Sequence, residues 1–214
     1  MRIRTKRVVA TFAGLVMLGV LAHTAVSQDK KPEKAPAAAA APGGPSAAEM
    51  EAMMKAGTPG KEHQLLAKGA GTFDAEVIMK HTADGPEMKS KAKEVSEMIF
   101  DGRYLKTDFS GDLMGMPYKG TGLNGYDNVK KKWVSVWADS MSTGVMVSEG
   151  VADASGKVIT YNGEYACPVE NGKMKNFRQV FRMIDDDHHE FEMYMPGPDG
   201  KEMRGLFIKY TRAK

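Results

Sequence analysis

From Gly71 onward, short runs rich in Val, Ile, Thr and aromatic residues alternate apolar with polar positions and are broken by Gly, Asp, Asn and Pro. A period of two is that of a half-buried β-strand, whose successive side chains point to opposite faces. The pattern predicts strands near 73–81, 89–100, 103–110, 117–126, 132–138, 144–151, 157–165, 174–184, 188–195 and 203–212. Between them stand the turn formers Asp84-Gly85, Asp101-Gly102, Ser155-Gly156, Asn171-Gly172 and Asp199-Gly200. Strands in unbroken succession, with no helical stretch between them, form an antiparallel meander, and closing that meander removes its exposed edges. The expected fold is therefore mainly β, an antiparallel up-and-down β-barrel of about ten strands. Two packed sheets are the competing architecture.

Upstream the period changes. Ser46 is an N-cap with Glu49 three residues on, and Met50, Met53 and Met54 recur at helical spacing as far as Gly57. A second short helix is expected with Pro59 at its start, Leu65 and Leu66 buried and Gly69 as its stop, forming the entry to the barrel. Residues 28–57 are rich in Lys, Pro, Ala and Gly and read as a disordered linker carrying only the marginal Met-containing helix. Before them, Arg2, Arg4, Lys6 and Arg7 precede the uncharged apolar run Val8 to Ala22, and Ala25 and Ser27 give a small-residue cleavage signature. This predicts a signal peptide over 1–27, a mature chain beginning at Gln28, and a barrel domain over 58–214 in the bacterial periplasm or outside the cell. The alternative for the apolar run is an uncleaved anchor. After signal removal no stable membrane insertion is expected.

The net charge of +3 changes meaning in this light, because the signal contributes four positive charges and no negative one, leaving −1 for the remainder. A near-neutral chain without a Lys/Arg stripe lacks the electrostatic footprint of a nucleic-acid binder. Cys167 is the only cysteine, so an internal disulfide cannot hold the fold together, and a core must do so. Oligomeric state is not readable from these features.

Several stretches resemble one family. They are Gly60-Lys61-Glu62-His63, Gly71-Thr72-Phe73, Gly102-Arg103-Tyr104-Leu105, Gly115-Met116-Pro117, Gly125-Tyr126-Asp127-Asn128 with the lysines that follow, Trp137-Ala138-Asp139-Ser140-Met141-Ser142-Thr143-Gly144, Ser148-Glu149-Gly150 and Tyr210-Thr211-Arg212. From about Gly60 to Arg212 the chain resembles the bacterial domain-of-unknown-function family 1579, departing from its pattern at Phe73, where Trp is expected. That resemblance implies a domain extent and no activity. A broader likeness is to lipocalin and fatty-acid-binding barrels, in which a Gly-x-Trp entry meets an Arg on the closing strand. It implies that Phe73 and Arg212 close one barrel end through a cation–π contact.

Along Trp133 to Asp139, alternation puts Trp133, Ser135, Trp137 and Asp139 on one face and Val134, Val136 and Ala138 on the other. Two tryptophans with a carboxylate and a hydroxyl suit a mostly apolar cavity with a few placed polar groups. The ligand-binding candidates are Trp137 and Asp139, with Arg103, Tyr126, Glu149 and Tyr161 as polar or amphipathic neighbours. The bland reading of the same face is core filling, with Asp139 capping a turn.

Other motifs carry less. His63, His81, His188 and His189 match no zinc spacing, so no metal or other cofactor is expected, and His63 is expected to cap the barrel mouth. Met114 with Met116, and Met193 with Met195, read as adaptable packing rather than a soft metal site. Gly120, Gly122 and Gly125 imitate a dinucleotide fingerprint but lead into a strand, so they mark close backbone approach. The run Asp185-Asp186-Asp187 reads as a solvated turn, and no nucleophile or phosphate-loop motif is present. The expected function is a non-enzymatic binding protein that holds a small, largely apolar molecule. The alternatives are an envelope enzyme using a lumen carboxylate, Asp139 or Glu149, and a protein-interaction module.

Overall fold

A computed structural model describes residues 44–113 and 115–214. The expected signal segment 1–27, linker residues 28–43 and Met114 lie outside them. Two helices come first, α1 (Ala47–Gly57) and α2 (Lys61–Ala67). Ten strands follow: β1 (Gly71–Met79), β2 (Met88–Ile99), β3 (Tyr104–Leu113), β4 (Met116–Asp127), β5 (Lys132–Asp139), β6 (Met146–Ala152), β7 (Val158–Cys167), β8 (Lys173–Met183), β9 (His188–Pro196) and β10 (Glu202–Arg212). Each pairs antiparallel with the next, and β1 pairs with β10, so the sheet closes on itself. The closed ring excludes the two-sheet sandwich.

Helix α1 carries the capping box read from Ser46 and Glu49, with Glu49 N donating to Ser46 Oγ (3.3 Å) and Ser46 N to Glu49 Oε2 (2.7 Å). It buries none of its residues, and Met50, Met53 and Met54 are exposed. Its end is tethered by Asn128, whose Nδ2 donates to Ala56 O (3.0 Å) and Thr58 O (2.8 Å). Pro59 falls outside α2, which Gly60 caps instead, its N–H donating to His63 Nδ1 (3.1 Å). His63 is buried edge-on to Tyr126, and burial holds its imidazole below the usual range. Leu65 and Leu66 are half-buried at the end of the lumen that α2 covers.

Alternation sets the barrel's inside and outside. On β1, Phe73, Ala75 and Val77 are buried while Asp74 and Glu76 are exposed. The closure joins Phe73 to Arg212 in register, and the Arg212 guanidinium carbon lies 4.5 Å over the Phe73 ring. Arg212 also donates to Ala70 O (2.8 Å), Lys68 O (3.0 Å) and Asp186 O (2.8 Å). One planar fork thus ties the end of α2 and the β8–β9 turn to the last strand, a geometry a lysine cannot reproduce. That turn is where the acidic run sits, with Asp185 Oδ1 accepting the N–H groups of Asp187 and His188, both at 2.8 Å. At the β2–β3 turn Phe100, Asp101 and Gly102 all take positive φ, and this reversal delays β3 to Tyr104.

Candidate functional site

Two hydrophobic core clusters stand among the buried residues. One gathers Phe73, Ala75, Val77, Phe109, Ile208 and Tyr210, and the other, beneath α2, gathers Trp133, Ile159 and Tyr161. Members of both line one lumen cavity of about 270 Å³, a little under the usual range of roughly 300–1,000 Å³ for small-molecule sites. Most of its wall is aliphatic and aromatic. Met79, Met146, Met183 and Met193 contribute flexible thioethers, whereas Met116 and Met195 do not line it.

Trp133, Ser135, Trp137 and Asp139 all line this cavity, and Val134, Val136 and Ala138 do not. The indole Nε1 of Trp137 is shared between Asp139 Oδ2 (3.1 Å) and the Tyr118 hydroxyl (3.3 Å), and that hydroxyl donates to Asp139 Oδ2 (3.1 Å). Asp139 Oδ1 accepts the N–H of Met141 (2.9 Å). The carboxylate therefore both caps the turn after β5 and fixes the indole across the lumen. Burial, then the neighbouring Asp139 charge, pushes the Tyr118 hydroxyl far above its ordinary range. Bare backbone on β4 accommodates the ring: a Cβ at Gly120 would stand 2.2 Å from Trp137 Cζ2, and one at Gly122 would stand 3.0 Å from Cε3. Gly120 and Gly122 are a shelf for Trp137, while Gly125 makes room for Tyr104.

The other candidates divide. Tyr161 is buried and lines the cavity. Tyr126 packs edge-on to Trp133, with ring centroids 5.4 Å apart, and lies outside the lining. Arg103 does not reach the lumen. It belongs to the β2–β3 turn, where its Nη1 donates to Phe100 O (3.0 Å) and faces Asp101. Glu149 is on the outer face, because Ser148 and Gly150 take the buried positions either side of it, and it pairs with Lys130 at 2.6 Å. Neither Arg103 nor Glu149 belongs to the cavity.

The cavity also holds a buried acidic group that no sequence motif marks. Glu94 of β2 is buried, and its Oε1 accepts from Ser96 Oγ (2.9 Å), itself 2.9 Å from Thr107 Oγ1. The Tyr210 hydroxyl adds a second interaction with the carboxyl. Across the lumen His189 Nε2 stands 4.0 Å from Glu94 Oε1, too far for a hydrogen bond, with its ring stacked on Tyr210 (4.3 Å) and edge-on to Phe73 (4.5 Å). Burial pushes the Glu94 carboxyl up to about 7 against the pull of its hydroxyl partners. Burial, with the charge of Arg212, lowers the His189 imidazole to about 4. The pair lies within ion-pair distance but is not an ion pair at neutral pH, since His189 is uncharged there. A signal for Glu94 exists in the sequence: Lys89, Lys91 and Lys93 mark the outer face of β2, which turns Glu94 and Ser96 inward.

His188 points away from the lumen toward Asp185, at 2.8 Å. Among the described residues, no three His, Cys, Asp or Glu side chains are grouped to share a metal ion.

A family model described as "Protein of unknown function (DUF1579)" matches residues 58–212. No curated protein sequence matches the chain. Among solved structures the chain is similar to Rv2717c from M. tuberculosis, at 16% identity and a TM-score of 0.53, over 73% of this chain and 100% of that one. At that identity the likeness concerns the fold. A redesigned β-barrel gives 15% identity and a TM-score of 0.35, over 72% of this chain and 96% of that one.

Proposed function

The chain belongs to the DUF1579 family of proteins of unknown function, and we propose that it is an exported, non-enzymatic binding protein that holds a small, largely apolar molecule in its barrel. The observation that carries this reading is the lumen cavity of about 270 Å³, walled mainly by aliphatic and aromatic side chains with a few oriented polar groups. A closed barrel needs no such space for its own stability, since protein interiors are otherwise close-packed. Export rests on the positive n-region, apolar run and small-residue cleavage site of residues 1–27.

Both tryptophans of the chain line the cavity, so the protein carries its own reporter. Titrating the barrel with 1-octanol is expected to give a saturable change in tryptophan emission. Trp137→Ala should weaken binding by about tenfold or more, the equivalent of roughly 1.4 kcal/mol, by removing one aromatic wall. Asp139→Asn keeps the side chain's shape and should leave the fold intact while loosening the indole. An emission spectrum indifferent to octanol up to its solubility would contradict the proposal.

A further inference from the structure

Resting on the binding reading above, the geometry points to a ligand class: an apolar molecule bearing a protonated amine, with Glu94 as its counter-charge and the surrounding aromatic rings as its cradle. The first support is a missing partner. A carboxyl buried this deeply is ordinarily paired with a cation. Among the described residues no Lys or Arg lies within ion-pair distance of Glu94, and the one basic group that does, His189, is uncharged at neutral pH. The Ser96 and Tyr210 hydroxyls bear on the carboxyl, as donors that favour its ionised form, while the Glu94 side chain keeps a surface on the cavity.

The second support is the company Glu94 keeps. Phe109 stands directly opposite it across the β2–β3 pair. Around Phe109 the rings of Tyr118, Trp137 and Tyr210 sit edge-to-face with centroids 6.0–6.4 Å away, and all four rings line the cavity. Aromatic rings beside a carboxylate are the usual chemistry of ammonium recognition, because ring faces attract cations without the cost of desolvating a second full charge. An anionic head would meet the opposite situation. The cavity's acidic groups are Glu94 and Asp139, and its basic side chains are His189, uncharged at neutral pH, and Lys157, exposed at the α2 end.

Binding of this kind is coupled to the state of Glu94. The groups that face it are Ser96 of its own strand, Phe73 of β1, Phe109 of β3 with Thr107 behind Ser96, His189 of β9 and Tyr210 of β10. Arg212 of β10 bears on His189. Of these, none but Glu94 itself changes charge between pH 6 and 8.

Octylamine, 1-octanol and octanoate share one hydrocarbon tail and differ only in the head, so their titration into the full chain at pH 8 isolates the head-group term. The amine is expected to bind about tenfold or more tightly than the alcohol, and octanoate weakest. With Glu94 titrating at about 7, affinity for the amine should rise about tenfold between pH 6 and pH 8, while that for the alcohol stays nearly constant. Glu94→Gln should bring amine and alcohol within about threefold and abolish the pH dependence. Glu149→Gln, on the outer face and outside the cavity, should preserve the amine preference. If octanol or octanoate binds as tightly as the amine, or if Glu94→Gln keeps the preference, the ammonium assignment is overturned and the binding reading stands. If none of the three binds, both are overturned.

Discussion

Trp133→Ala should destabilise the barrel by about 3–5 kcal/mol, the range for deleting a fully buried tryptophan. Trp133 is 2% exposed and packs against Ile159 and Tyr161, with Leu65 and Leu66 of α2 and Tyr126 around them. Its loss removes the contact surface that fixes the entry helix over the lumen, and the neighbouring cavity gives the surrounding residues little to collapse onto. Trp137 is only half-buried and forms a wall of empty space, so Trp137→Ala should cost clearly less stability and more binding. Urea unfolding of the two variants separates the roles. Equal losses, or a larger one at Trp137, would mean that the indole of Trp137 is core rather than cavity wall.

A second large effect concerns pH. In the unfolded chain Glu94 titrates near 4.5, and in the barrel near 7. Between these values the folded state retains a proton that the unfolded state has released, so stability falls as pH rises through this window and is lowest above it. The difference corresponds to about 3 kcal/mol. His189 works the other way. Its pKa drops from 6.5 to about 4 on folding, so stability is lost as pH falls through that window, again by about 3 kcal/mol. From about pH 4.5 to 6.5 the two slopes oppose one another, and their joint contribution in the wild type is nearly flat. Glu94→Gln should uncover the rising His189 limb and make the barrel more stable than wild type by about 3 kcal/mol above pH 7. Urea melts at pH 4.5, 6 and 8 test this. Parallel wild-type and variant profiles would contradict the assignment of a buried, unpaired carboxyl.

The fold was largely legible because barrel strands obey one simple rule and turn residues mark its interruptions. Asp101-Gly102 and Asn171-Gly172 fall where the chain reverses, with positive φ at all four residues. The inward face of β5 was legible for the same reason, since Trp133, Ser135, Trp137 and Asp139 share one parity. Parity failed where a boundary slipped. Arg103 stood at the start of an expected strand, but the left-handed turn before it begins that strand one residue later. Glu149 has the chemistry of a lumen group, but its neighbours Ser148 and Gly150 are the small residues that face inward.

Glu94 is hidden in the sequence for a different reason. On β2 the outer face carries Val95, exposed, beside the lysines, while the inner face holds Ala92, Glu94 and Ser96. A rule that turns apolar residues inward reads such a strand backwards. Only barrel closure brings His189 and Tyr210, from the far end of the chain, against Glu94, and no local pattern encodes that meeting.

The most direct test of the binding account is a native mass spectrum of the chain purified from its own host, compared with the denatured spectrum of the same sample. The account predicts a polypeptide beginning at Gln28 that carries one small, basic, largely apolar adduct, released on denaturation and reduced in Glu94→Gln. A bare polypeptide mass under native conditions, unchanged by denaturation, would contradict it.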